Sequence, residues 1–308
     1  MVDIVAGPSE PERGLFSLAD LAPAAVIRLA RRSTELFDDR EAHDRPLRDR
    51  VVGTLFTGPS TRTRTAFTVG TLRLGGTPVP YGPDDLQSSA GEPLPDTGRV
   101  LGCMLDALVA RTTGPLEGLR VLSRYGQLPT VNAMAADEHP TQGICDLATL
   151  LLRFGDLSGM RLLYVGEGNS TAVALAHGLS AVQGARATFV CPREHAVPEG
   201  ELDRAAKRAV GTGARLEQLH DPRRLPREVD VVYTTRWGGS GADGAFQVNQ
   251  AFVNRWPDAW FMHDLPARRG EEVSAAVLDG PRSLAWTQAS MKLPSAMAVL
   301  EWVTNSPP

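Results

Sequence analysis

Seven short runs of apolar and β-branched residues recur along the chain with helical patterns between them, and this alternation limits the fold more than any other feature. VVGTLF (51–56), ALVAR (107–111), PTVNA (129–133), RLLYVG (161–166), ATFVC (187–191), VDVVYT (229–234) and AWFMH (259–263) read as strands. Several are apolar almost throughout, as strands covered on both faces are. Helical patterns lie near 22–37, 62–74, 115–125, 141–154, 171–183, 201–210 and 249–255. Such alternation builds parallel sheets joined by right-handed crossovers.

A chain of 308 residues is long enough for two domains, and the turn-rich FGDLSG (154–159) after a long helix marks the boundary. The expected architecture is therefore α/β with two domains, 1–154 and 155–287, each a mostly parallel sheet flanked by helices. A final helix near 288–304, within the segment 288–308, is expected to pack back on the first domain. GGSGADG (238–244) reads as a mobile loop. A net charge of −4 gives no global reason to bind nucleic acid or a membrane. The opening MVDIVAGPSEPERG lacks the apolar core of a signal peptide, and no apolar run reaches the ~18 residues of a membrane span. Cys103, Cys145 and Cys191 show no metal or redox spacing and read as buried thiols in a reducing cytoplasm.

FTGPSTRTRTAF (56–67) puts four hydroxyls and two guanidiniums into the eight residues from Ser60 to Phe67, with no acidic residue among them. A strand ending at Phe56 and a helix starting near Thr61 aim a helix N-terminus out of the carboxyl edge of the sheet, where open α/β sheets bind ligands. Free N–H groups and the helix dipole attract anions there. Ser60, Thr61 and Thr63 add hydroxyl donors, and Arg62 or Arg64 adds a planar fork matched to phosphate oxygens. The segment reads as a phosphate cradle; the alternative is a hydroxyl-capped helix with solvated arginines. Arg111 ends another strand. Glu138-His-Pro-Thr-Gln142 begins a helix with Pro140 at its first position, and Met262-His-Asp-Leu-Pro266 ends a strand in the second half.

At these residues the chain resembles the aspartate/ornithine carbamoyltransferases. STRTR (60–64), HPTQ (139–142) and the His263-x-Leu-Pro266 turn look like signature segments of that family. GEPLPDTGRVL (91–101), DEHPTQ (137–142), FQVN (246–249), MHDLPARRGEEV (262–273) and DGPRS (279–283) look most like its ornithine branch. The resemblance implies the carbamoyltransferase fold, with carbamoyl phosphate bound by the first domain and the amine by the second. It implies transfer of a carbamoyl group to an amine, with no metal or organic cofactor. Ser60, Thr61, Arg62 and Thr63 would hold the phosphate, and Arg111 and His139 the carbonyl oxygen. Gln142 and the carbonyl of Leu265 would bind the carbamoyl NH2, and Lys292 stands where the family has an arginine. Gln87 matches a loop that reaches into a neighbouring subunit's site, which implies a homotrimer with shared sites; the alternative is a solvated polar loop. The implied catalytic residues are Arg62, Arg111 and His139, and the partners carbamoyl phosphate and a small amine.

The acceptor half departs from the ornithine pattern. Its GDGNN-like turn reads Gly166-Glu-Gly-Asn-Ser170, so Ser170 replaces the second asparagine. Thr235 stands where an aspartate pairs with the ornithine ammonium, WGGS (237–240) replaces a Ser-Met-Gly loop, and Asp264 replaces a cysteine. Losing one partner of a buried charge pair costs ~3–5 kcal/mol, which argues against ornithine. Arg236, in YTTR (233–236), resembles the carboxylate-binding arginine of the aspartate branch, but the other acceptor signals of that branch are missing. The expectation is a rebuilt acceptor pocket of Asn169, Ser170, Thr235, Arg236 and Asp264. It would take a short diamino acid such as 2,3-diaminopropionate, in specialised metabolism. The alternatives are ornithine carbamoyltransferase proper and a non-catalytic anion-binding paralogue. A dinucleotide-dependent oxidoreductase, suggested by Gly166-Glu-Gly-Asn169, is disfavoured because Thr171 breaks the GxGxxG spacing.

Overall fold

The computed structural model describes residues 13–39, 41–238 and 244–305. The expectations for the opening twelve residues and for the loop at 239–243 lie outside the described residues. The first half holds β1 (Gly14–Leu15), β2 (Val51–Phe56), β3 (Thr77–Tyr81), β4 (Ala107–Arg111) and β5 (Thr130–Asn132), with helices α1 (Pro23–Asp38), α2 (Arg62–Arg73), α3 (Leu94–Gly102), α4 (Leu116–Gly126) and α5 (Pro140–Phe154). The second half holds β6 (Arg161–Val165), β7 (Arg186–Val190), β8 (Arg215–Leu219), β9 (Val231–Thr234) and β10 (Trp260–His263), with α6 (Ser170–Ser180), α7 (Glu199–Ala209), α8 (Gln250–Val253) and α9 (Ala275–Leu278). A last helix, α10 (Ala285–Asn305), packs against α1, α2 and α5.

Both sheets have five strands and are parallel throughout, in the orders β1-β5-β4-β2-β3 and β10-β9-β6-β7-β8. Each order reverses direction once. In the first sheet the chain moves outward from β2 to β3, then returns to β4 on the other side of β2. In the second it moves from β6 through β7 to β8, then returns to β9. Helices leave in opposite directions at such a reversal and open a crevice at the carboxyl ends of the two strands. The segments singled out from the sequence end or follow β2, β4, β5, β6, β9 and β10, so they gather at the carboxyl edges of the two sheets, around these crevices.

One apolar core runs through both halves, from Leu15 and Leu18 through Ile144, Leu175 and Tyr233 to Val303. The segment before α1 crosses to the second half. Arg208 donates to the Leu18 carbonyl and Asp20 pairs with Arg204 at 3.2 Å, while the Leu18 N–H donates to Glu138 Oε1 of the first half at 2.9 Å. Of the three cysteines expected to be buried, Cys145 and Cys191 are, but Cys103 is exposed at the C-cap of α3, where the last helical turn faces solvent. No described helix is long and apolar enough to cross a membrane.

α3 and α4 meet backbone to backbone. A Cβ on Gly102 would lie 1.9 Å from the Gly126 carbonyl oxygen, and one on Gly126 would lie 2.4 Å from that of Gly98. Gly102→Ala is therefore expected to force the pair apart and cost about 1–3 kcal/mol. Urea unfolding of the variant checks this, and an unchanged midpoint would contradict the close crossing.

Candidate active site

A cavity of about 650 Å³ opens between the carboxyl edges of the two sheets. From the first half it is lined by Ser60, Thr61, Arg62 and Thr63 after β2, Arg111 at the end of β4, and His139 and Gln142 at the start of α5. Arg62 and Arg111 make no ion pair among the described residues. Burial pulls both guanidiniums below their usual range, and the charge of Arg62 lowers Arg111 further. Ser60 Oγ is buried and has no hydrogen-bond partner among the described residues. Two cations without an ion pair among the described residues, beside an unused hydroxyl and a helix N-terminus, form a site built for an anion. Arg64, the other candidate fork, lies over the Phe56 ring at 5.2 Å and donates to the Phe56 carbonyl at 3.3 Å, so only Arg62 lines the cavity.

His139 is the N-cap residue of α5 and is buried. Burial, with Lys292 and Arg111 close by, holds its imidazole well below its ordinary range, so it is neutral. Its Nδ1 is 3.2 Å from Thr141 Oγ1. In the tautomer where the hydroxyl donates, Nε2 carries the proton.

The second half supplies Glu167, Asn169, Ser170 and Thr171 after β6, Arg236, Trp237 and Gly238 after β9, and Asp264, Leu265 and Pro266 after β10. Asn169 lines the cavity, but its amide is occupied: Oδ1 caps α6 through the N–H groups of Thr171 (3.0 Å) and Ala172 (3.3 Å), and Nδ2 donates to Thr235 Oγ1 at 2.9 Å. Thr235, expected to touch the acceptor, is instead buried behind the wall, where Tyr164 OH also meets its Oγ1 at 3.1 Å. Arg236 is exposed at the rim and has no ion pair among the described residues. Asp264 Oδ2 accepts from Thr171 Oγ1 at 2.9 Å. Arg236 and Asp264 thus line one cavity without pairing with each other.

His263 shapes the turn that carries Asp264. Its Nδ1 accepts the Leu265 N–H at 2.9 Å, leaving Nε2 to donate to Glu272 at 3.1 Å. Burial opposes the Glu272 carboxylate, but the bonds from His263 and the Arg268 N–H outweigh it and keep that group below its usual range. Leu265 has a positive φ of 55° and precedes a cis peptide to Pro266.

Behind the cavity lies a closed polar network. Asp146 Oδ1 accepts from Gln142 Nε2 and Gln288 Nε2, both at 2.6 Å, and Oδ2 from Tyr233 OH at 3.0 Å. Gln288 Oε1 accepts the His263 N–H at 3.1 Å, and the buried Lys292 donates to Gln142 Oε1. Burial raises the Asp146 carboxyl to about 7.

Glu167, Thr171 and Trp237 line the cavity although the sequence did not mark them as site residues. Glu167 lies within the recognised turn and Thr171 directly follows it. Trp237 is held by edge contact with His195 at 6.0 Å and by Phe246 at 6.1 Å. Gln87 is exposed and does not line this chain's cavity. Among the described residues no group of three or more His, Cys, Asp and Glu side chains could hold a metal ion.

The family model described as aspartate/ornithine carbamoyltransferase, carbamoyl-P binding domain, matches residues 13–151, and the Asp/Orn binding domain of the same family matches residues 158–303. An ornithine carbamoyltransferase of Acidothermus cellulolyticus is 38% identical over 299 residues, covering 93% of this chain and 95% of that one. One from Methylococcus capsulatus is 35% identical, covering 96% and 99%. The crystal structure of ornithine carbamoyltransferase from Gloeobacter violaceus superposes with a TM-score of 0.86 at 33% identity, covering 96% of this chain and 100% of that one. The enzyme from Pyrococcus furiosus gives 0.87 at 32%, covering 94% and 96%.

Asp146 keeps its proton in the folded state up to about 7, whereas the unfolded chain releases it near 3.8. Its contribution to stability is complete below the lower value and is lost as pH rises toward the upper one, at about 1.4 kcal/mol per pH unit. Asp146→Asn mimics the protonated form and is expected to flatten the pH dependence of urea unfolding by about one proton in that window. An identical slope in the variant would refute the assignment.

Proposed function

Because the chain belongs to the aspartate/ornithine carbamoyltransferase family and is a carbamoyltransferase, we propose that its cavity joins carbamoyl phosphate to a short diamino acid such as 2,3-diaminopropionate. The observation that carries the donor side is the unpaired Arg62 and Arg111 beside the orphaned Ser60 hydroxyl in one cavity. Ser60, Thr61, Arg62 and Thr63 hold the phosphate. Arg111 and neutral His139 donate to the carbonyl oxygen, where negative charge grows as the amine attacks. Gln142, oriented by Lys292 and Asp146, accepts from the carbamoyl NH2 together with the Leu265 carbonyl. The nitrogen–carbon bond forms, the carbon–oxygen bond to phosphate breaks, and the departing phosphate takes a proton from the attacking nitrogen. The protein contributes positioning and a preorganised field.

On the acceptor side the reading rests on Arg236 and Asp264 lining the cavity unpaired with each other, and on the absence of an acidic residue at 235. Arg236 binds the substrate carboxylate and Asp264 faces the reacting amine, with Ser170 lining the same cavity at the α6 N-terminus. Trp237 forms part of the wall and favours a compact substrate. Ornithine is a second reading, favoured by the names of the relatives. Gln87 completes the neighbouring site in a homotrimer, consistent with its exposure here. The free thiols fit a cytoplasmic setting.

The test mixes protein, carbamoyl phosphate and a panel of amines and follows phosphate release. Turnover with short diamino acids above that with ornithine is expected. Brisk turnover with ornithine and none with shorter homologues rejects the acceptor reading, and donor binding without any turnover favours the non-catalytic paralogue. His139→Ala is expected to lower kcat about 10²–10³-fold. Because His139 is neutral in the folded protein, it should impose no loss of rate as pH falls through the usual imidazole range.

A further inference from the structure

We propose that Asp264 is the base that deprotonates the acceptor, a role that rests on the carbamoyl-transfer reading above. A primary alkyl ammonium has a pKa of roughly 10, so at neutral pH almost all of the incoming amine is protonated and cannot attack. Arg62, Arg111 and Lys292 crowd the donor end of the cavity with positive charge and would repel that ammonium. Among the described residues, Glu167 and Asp264 are the carboxyl groups that line the cavity, with Asp146 in the network behind it. Asp146 is fully buried with both oxygens engaged by Gln142, Gln288 and Tyr233. Glu167 binds the Gly238 N–H at 2.6 Å, on the side of Arg236. Asp264 alone sits in the turn beside Leu265, where the carbamoyl group is held.

Its geometry suits a base. The side chain is 16% exposed, so it is shielded yet accessible from the cavity. Oδ2 is fixed by the Thr171 hydroxyl, while Oδ1 lies 3.6 Å from His263 Nδ1, a nitrogen already accepting the Leu265 N–H. Arg62 and Arg111 feel its charge, but neither comes within ion-pair distance among the described residues. Among the described residues Oδ1 therefore has no hydrogen-bond donor, on a side chain that lines the cavity. It takes one proton from the ammonium, and the neutral amine attacks the carbamoyl carbon. The second nitrogen proton leaves with phosphate, and the Asp264 carboxyl releases its proton to solvent, so the step balances without another reactant.

The experiment compares wild type with Asp264→Asn, using the best amine of the panel. At pH 7 the variant is expected to lose about 10²–10⁴-fold in kcat/KM for the amine. The deficit should shrink as pH rises toward the amine's own pKa of roughly 10. Carbamoyl phosphate binding, followed by calorimetry, should be undiminished, which also reports that the variant folds. Asp264→Ala is expected to regain rate when formate is added as a small external base. A variant that raises only the amine KM, or a deficit that is the same at every pH, overturns the base assignment alone. A wild-type protein that turns over no amine overturns both readings.

Discussion

Parallel pairing constrains everything else in this molecule. Every strand of a parallel sheet ends at the same edge, and a chain that reverses its winding direction leaves a gap there. The first sheet reverses between β2 and β4 and the second between β6 and β9. The two gaps face one cavity, and the residues immediately after those strands supply most of its charge. Arg62 and Arg111 are neighbours because β2 and β4 are neighbours: Phe56 pairs with Arg111 in the ladder. Holding two like charges together out of water is unfavourable, and the folded chain offers them no carboxylate partner among the described residues. An anionic ligand supplies what the protein withholds.

The network around Asp146 gives the amide of Gln142 a single orientation. Its Nε2 is committed to Asp146 and its Oε1 is met by Lys292. The network draws on α5, β9, β10 and α10, so it joins both halves behind the cavity. Lysine lacks the two-pronged fork of the arginine expected at position 292. Here its single ammonium group bonds the amide of Gln142, and both side chains line the cavity.

The buried strands and the donor side were legible because short-range chemistry defines them. β2, β4 and β6 are apolar runs, and STRTR and HPTQ carry donors in consecutive residues. The missed elements lie where those signals fail. β3 contains Pro78 and Pro80, which are tolerated because it is an edge strand. β8 is the opposite edge of the second sheet and largely polar, while β1 is two residues long. α3 carries Pro95 and Gly98, which weaken a helical pattern. The acceptor side was harder to read because its contacts are long-range. Whether Thr235 faces the cavity or Tyr164 depends on the phase of β9, and Thr171 meets Asp264 only once β6 and β10 are placed in the same sheet. Trp237 follows the recognised arginine directly, yet its place in the wall depends on His195 and Phe246.

The chain's two ends are exchanged between its halves. The segment before α1 bonds to α7, while α10 lies across α1, α2 and α5, and a single apolar core extends from one sheet to the other. Two domains by architecture are thus one domain by thermodynamics. Neither half keeps a complete hydrophobic interior when separated from the other, so heat or denaturant should melt the protein in a single cooperative step.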